Sequence, residues 1–206
     1  MTADNDEIPI DVQQAAADAE DAEWELGNEL LLLAQGAADP VTVLVVDDEP
    51  EIVEEIVEDL ELDGTPTRQA TRAMEALEIM AEDESIRIVV SDIRMPHMDG
   101  LQFLEEIQRR WPDRLIQVII LTGHAGYDEA VHALRLGAFE FLAKPISLGH
   151  LAHVIGRAQE VLRLKEHERN LKEFLVREIA RLNHQIDRLH QENDALRHAA
   201  TPESGT

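Results

Sequence analysis

A short β-branched run, Ile86 to Val90, closes on Ser91-Asp92-Ile93-Arg94-Met95-Pro96. Val/Ile-rich runs of this length are strands buried on both faces of a parallel sheet. Ligands of open parallel sheets gather at the carboxyl ends of the strands, where Asp92 falls. Val41 to Val46 has the same character and ends in Asp47-Asp48-Glu49. Leu115 to Leu121 ends in Thr122, and Phe139 to Ala143 ends in Lys144-Pro145. An acid pair, an acid, a hydroxyl and a lysine thus occupy successive predicted strand ends.

Carboxylates this close raise one another's pKa unless a cation neutralises them. Mg2+ suits the set, because it is held by one or two carboxylates together with waters and phosphate oxygens. The motifs Val-Val-Asp-Asp-Glu-Pro, Ser-Asp-Ile-Arg-Met-Pro with Asp99-Gly100, Leu-Thr-Gly and Leu-Ala-Lys-Pro occur in that order. Together they resemble the response regulator receiver domain of two-component signalling, over Val41 to Arg157.

The resemblance implies a role for each position. Asp92 would be the phosphoacceptor, a carboxylate nucleophile that forms an acyl phosphate. Asp48, Asp92 and the backbone carbonyl of Arg94 would ligate Mg2+, with Asp47 acting mainly through a metal-bound water. Lys144 would pair with Asp92 and then with a phosphoryl oxygen, beside a cis bond to Pro145. Thr122 and Phe141 would form the hydroxyl–aromatic switch. Arg94 and His124, each two residues past a site position, depart from the commonest small or neutral choices and would set the phosphoryl lifetime. The donor would be a sensor histidine kinase or a phosphotransfer protein.

Between the strands, apolar stripes mark helices. Ile52, Val53, Ile56, Val57 and Leu60 form one, ended by Gly64; the second runs from Thr71 to Ala81, with a stripe of Ala73, Leu77 and Met80 inward. Gly100 to Arg110 and Tyr127 to Leu136 are the third and fourth, and Ser147 caps the fifth. Thr65 to Gln69 is a weak strand that Pro66 assigns to an edge. Five βα units predict an α/β fold: a five-stranded, doubly wound parallel sheet with right-handed crossovers, flavodoxin-like by the resemblance.

The 206 residues hold 18 Lys and Arg against 43 Asp and Glu, a net charge of −25. Residues 1–40 carry 11 acids and no base, 41–147 carry 23 acids and 9 bases, and 148–206 carry nine of each. These shifts place the expected boundaries: an acidic N-terminal extension (1–40), the receiver (41–157), a coiled-coil helix (158–200) and a disordered tail (201–206). The extension contains one helix, Val12 to Ala34, read as packing on the core rather than docking a partner. An acidic chain opposes direct binding to nucleic acid or anionic membrane. No cysteine, signal-like segment or spanning apolar run occurs, so a cytoplasmic protein is expected. The Glu129/His132 and His150/His153 pairs have helical ligand spacing but lack a second set, and Gly123-His124-Ala125-Gly126 lacks the Lys-Ser/Thr ending of a phosphate loop.

After Gly156 no glycine or proline interrupts the sequence before Pro202. A helix from Leu148 to His198 would be roughly 75 Å long. Leu175, Leu182, Leu189 and Leu196 repeat every seven residues, with Ile179, Ile186 and Asn193 four after the first three. Leu at d, Ile at a and one Asn at a are the pattern of a parallel two-stranded coiled coil, and therefore of a homodimer. Val161, Leu164 and Leu171 fit a frame shifted by four, a stutter. No helix-turn-helix, cyclase or ATPase module fits in what remains. The expected function is a phosphoacceptor signalling protein, not an enzyme, whose output is dimer rearrangement and contact with an unidentified downstream protein. A phosphorelay shuttle, a phosphate sink and a Mg2+-dependent aspartyl phosphatase are the alternatives.

Overall fold

The computed structural model describes residues 41–123 and 127–199. The predicted N-terminal helix, His124 and the predicted tail lie outside the described residues. Ala38–Glu168 form one compact unit, and residues from Arg169 onward belong to a second.

The first unit alternates strand and helix: β1 Thr42–Val46, α1 Pro50–Leu62, β2 Thr67–Ala70, α2 Ala73–Glu82, β3 Ile86–Asp92, α3 Gly100–Arg110, β4 Gln117–Thr122, α4 Tyr127–Arg135 and β5 Glu140–Ala143. α5, Leu148–Ala199, follows and continues into the second unit. All strand pairs are parallel, in the order β2-β1-β3-β4-β5. The order reverses at β1, so that the chain's crossovers lay helices on both faces.

Strand alternation divides the core. Leu44, Val46, Val89 and Ile120 pack with Leu77, Met80, Phe103 and Leu104 on one face. Val43, Val45, Ile88, Val90 and Ile119 pack with Ile56, Leu60, Leu151 and Ile155 on the other. The central strands are buried on both sides, which is why they lack polar alternation.

Local signals fix the helix ends. Pro50 opens α1, and Gly64, at φ 78°, lies just beyond its end at Asp63. Asp99 caps α3 by accepting from the Gln102 amide while the Gln102 side chain accepts from the Asp99 amide, a reciprocal capping box. Ser147 opens α5, its hydroxyl accepting from the His150 amide at 3.3 Å.

β2 is an edge strand, but it begins at Thr67 rather than Thr65. Pro66 stays outside the strand, although its carbonyl accepts from the Val43 amide. α2 starts at Ala73, two residues later than the stripe suggested, because Thr71 is held by its amide and hydroxyl to the Glu75 carboxylate. Arg114 ties the end of α2 to the sheet. Its guanidinium donates to the carbonyls of Met80, Asp83 and Ile86 at 2.7–2.8 Å.

Along α5, Leu151, Val154, Ile155, Ala158 and Leu162 are buried in the first unit. One turn further, Glu166 receives Arg87 of β3 at 2.9 and 3.0 Å. In the second unit Leu175, Ile179, Leu182, Ile186, Leu189 and Leu196 are all exposed in the single chain. No helix among the described residues is long and apolar enough to cross a membrane.

Candidate functional site

The parallel order places the ends of β1, β3, β4 and β5 side by side at one edge of the sheet. β1 delivers Asp47 directly after Val46, and β3 delivers Asp92 as its last residue. In register, Val46 lies opposite Ser91, Asp92 opposite Leu121, and Thr122 opposite Ala143. Lys144 is the next residue after β5, and its amide donates to the Thr122 carbonyl at 2.7 Å. The Lys144–Pro145 bond is cis.

These placements converge on one ammonium. Lys144 Nζ lies 2.6 Å from Asp47 Oδ2 and 2.6 Å from Asp92 Oδ1. Both carboxylates are buried, whereas Asp48 is exposed. Burial raises the Asp47 pKa, which outweighs the hydrogen bonds it accepts from Lys144 and the Glu49 amide. Burial pulls the Lys144 pKa down, but its hydrogen bonds to Asp47 and Asp92 more than offset this and leave it raised. The cluster is therefore an acid pair partly balanced by one cation.

Asp92 is oriented from both sides. The Arg94 amide donates to its Oδ2 at 2.5 Å. Behind it, Gly100 opens α3 against the β3–α3 loop, its amide donating to the Ile93 carbonyl at 2.9 Å. A Cβ on Gly100 would fall 2.3 Å from the Asp92 carbonyl oxygen. The loop between them holds His97 at φ 70°, in the left-handed region.

Thr122 is fully buried, and Phe141 is half-buried on the α2–α3 face of the sheet. Phe141 pairs in register with Ile120, two residues before Thr122, so Thr122 and Phe141 point to the same face. Arg94 extends outward to α4, where its guanidinium meets Glu129 at 3.7 Å. Between α1 and the β5–α5 connection an open cleft of about 400 Å³ is lined by Ile52, Glu55, Ile56, Lys144, Pro145 and Leu148.

Among the described residues no three His, Cys, Asp or Glu side chains converge as a metal cage. Mg2+ does not need one, since one or two carboxylates suffice when waters and phosphate oxygens complete its shell. Asp47 and Asp92 supply two hard oxygen donors at one point, and the raised pKa of Asp47 marks charge that a cation would relieve. The donor chemistry fits that ion. The sequence pattern did not reveal Glu129 as a partner of Arg94 or Gly100 as the floor beneath Asp92. Asp99-Gly100 at a helix start was the only local signal for the latter.

The family model described as the response regulator receiver domain matches residues 43–156. A putative NtrX-like response regulator of Rickettsia bellii is 36% identical over 138 residues, 66% of this chain and 28% of that protein. The C4-dicarboxylate transport transcriptional regulatory protein DctD of Rhizobium meliloti is 37% identical over 131 residues, 64% of this chain and 28% of its own length. The chain thus spans under a third of the curated relatives it matches. A response regulator receiver domain protein from Clostridium thermocellum superimposes with a TM-score of 0.57 at 38% identity, covering 60% of this chain and 98% of that one. The beryllofluoride-activated NtrC4 receiver domain dimer does so at 0.55 and 37% identity, covering 59% and 98%. By its matched span and by the five-stranded sheet that carries it, the chain belongs to the response regulator receiver domain family.

Proposed function

We propose that the chain accepts a phosphoryl group on Asp92 from a phosphohistidine of a sensor kinase or phosphotransfer protein. The convergence of Lys144 on Asp47 and Asp92, both at 2.6 Å, is the observation that carries this reading. A carboxylate oxygen of Asp92 attacks phosphorus in line. The P–N bond of the donor breaks, and its electron pair returns to the imidazole. Lys144 holds the nucleophile in place and then meets a phosphoryl oxygen. Mg2+, held by Asp48, Asp92 and the Arg94 backbone carbonyl, with Asp47 acting mainly through a metal-bound water, would offset the charge on the transferring group. The cleft beside Lys144 leaves a path for the donor protein.

Thr122 and Phe141 act as the switch, the hydroxyl moving to the phosphoryl group and the ring following inward; that they share a face of the sheet supports this reading. Arg94 and His124 set the lifetime of the acyl phosphate. The exposed a and d positions from Leu175 to Leu196, with Asn193, favour a parallel coiled-coil homodimer as the output element. Output is assigned to a protein partner rather than to direct DNA contact, because the strongly acidic charge opposes binding to nucleic acid. A phosphorelay shuttle or phosphate sink uses the same chemistry without the dimer. An aspartyl phosphatase is disfavoured, because the first strand ends in adjacent acids rather than Asp-x-Asp.

The test is to incubate the full chain with Mg2+ and a small acyl phosphate and weigh it by intact-mass spectrometry. One phosphoryl group per chain, absent in Asp92→Asn, is expected. Continuous turnover of a phosphate ester without a labelled protein would point to the phosphatase instead.

A further inference from the structure

Arg94 sits at a junction between the phosphoacceptor and α4. Its amide is bonded to Asp92 Oδ2 at 2.5 Å, so its backbone belongs to the site. Its side chain leaves the site and meets Glu129, in the first turn of α4, at 3.7 Å. The two ends of Glu129 differ. Oε1 faces Arg94 near solvent, while Oε2 is buried and accepts no hydrogen bond among the described residues. A buried carboxylate oxygen without a donor is unfavourable, and a nearby guanidinium charge is what mitigates it. Arg94 is thus the charge that makes Glu129 tolerable where α4 now lies.

From this geometry we infer that Arg94 and Glu129 form an exchangeable latch between the phosphorylation site and α4. This rests on the reading of Asp92 as phosphoacceptor. The pair is long and largely exposed, which limits its worth to a factor of roughly two to five in an equilibrium constant. A phosphoryl group carries close to two negative charges and three acceptor oxygens. Arg binds such a group bidentately and more strongly than it binds a distant single carboxylate. On phosphorylation Arg94 turns from Glu129 to the phosphoryl oxygens. Glu129 then loses its one ion-pair partner among the described residues, and the first turn of α4 shifts to hydrate the buried oxygen. Arg94 is a positioning residue in the resting state and a ligand of the phosphoryl group in the active one. The latch connects charge at Asp92 to movement of α4 by a route separate from Thr122 and Phe141.

The experiment is a double-mutant cycle on the full chain, titrated by calorimetry with beryllium trifluoride in saturating Mg2+. Glu129→Gln frees Arg94 and is expected to tighten beryllium trifluoride roughly two- to fivefold. Arg94→Gln is expected to weaken it. In the Arg94→Gln background, Glu129→Gln is expected to change nothing, because there is no cation left to release. An equal tightening in both backgrounds means Glu129 acts only as a distant charge, and overturns the latch. So does no effect of Glu129→Gln in the wild-type background. Hydrogen exchange gives the second readout: Arg94→Gln without ligand should lower protection in the first turn of α4, and unchanged protection there also counts against the proposal. Asp92→Asn is the separate control. If it binds beryllium trifluoride as wild type does, the phosphoacceptor assignment fails rather than the latch.

Discussion

Gly100 lies directly beneath Asp92: a Cβ there would stand 2.3 Å from the Asp92 carbonyl oxygen and 2.9 Å from Ile93 Cα. Both neighbours are backbone, so neither can swing away as a flexible side chain would. The N-terminus of α3 therefore locks the loop that presents the Asp92 carboxylate. Gly100→Ala must push that loop or the helix aside. Overpacking of this kind costs about 1–3 kcal/mol, read as a lower urea midpoint. Labelling of Asp92 by acyl phosphate should slow in the same variant. An unchanged midpoint would show that the loop yields freely and does not hold the carboxylate.

Lys144 makes the site's stability depend on alkaline pH. Burial works against its charge, but its bonds to Asp47 and Asp92 prevail and raise its folded-state pKa. The sign follows from linkage: its contribution is fully present below the ordinary lysine value and is lost as pH rises through the raised value. Urea unfolding at about pH 8 and about pH 11.5 brackets that window. Lys144→Met should lower stability at the first pH and narrow the gap between the two. Equal alkaline losses in wild type and variant would mean that Lys144 is not the group responsible.

Asp47 has a dependence of the same sign in an acidic window. Its pKa is raised, chiefly by burial, so the metal-free domain loses stability as pH climbs from the ordinary aspartate value through the raised one. A divalent cation should recover that loss. Near neutral pH, Mg2+ at about a hundred times its Kd should add roughly 2.7 kcal/mol. Removing the metal with a chelator should reverse the gain, and Asp47→Asn should show less of it. A melting temperature indifferent to Mg2+ would remove the metal from the proposed mechanism.

Arg87 anchors α5 to the sheet at the end remote from Asp92. It gives Nη1 to both oxygens of Glu166 and Nε to the Leu115 carbonyl, with its side chain only 13% exposed. Charge-assisted bonds in this setting are worth about 1.5–3 kcal/mol. Arg87→Ala should lose about that much and raise hydrogen exchange around Glu166. Arg87→Lys should recover little, since a single ammonium cannot serve the carboxylate and the Leu115 carbonyl in the same geometry. Full recovery by lysine would mean that only the charge matters.

The sequence declared the central strands because burial on both faces leaves no room for polar residues. Val43 to Val46, Ile88 to Val90 and Val118 to Leu121 are almost purely apolar for that reason. It declared that an acid, a hydroxyl and a lysine end adjoining strands, since parallel connections put all those ends at one edge. Boundaries were less legible where side chains compete with the backbone. Thr71 bonding to Glu75 delays α2, and Pro66 shortens β2. Pairs far apart in sequence left no signal. Arg94 with Glu129, Arg87 with Glu166 and Arg114 with three carbonyls depend on packing that no local pattern encodes. Asp48 shows a further limit, because adjacency in sequence to Asp47 says nothing about burial: one is enclosed and the other exposed.

The apolar seam of α5 yields the last prediction. Leu175, Ile179, Leu182, Ile186, Leu189 and Leu196 are each about half exposed, between 49% and 59%. Six large apolar side chains in a and d register are unfavourable in water, and under the proposed dimer the matching seam of a second copy would cover them. Leu182→Asp with Ile186→Asp places two charges per chain in that seam. Light scattering should then report a monomer, while the circular dichroism of the receiver's sheet and its labelling with acyl phosphate persist. Asn193→Ile tests the same register from the other side. A lone Asn at a fixes two strands in parallel at a cost in stability, so its removal should raise the melting temperature and admit species larger than a dimer. If the double aspartate variant keeps the mass of the wild type, the copies meet elsewhere and the seam serves a different helix. If Asn193→Ile leaves both stability and mass unchanged, position 193 does not lie in the seam.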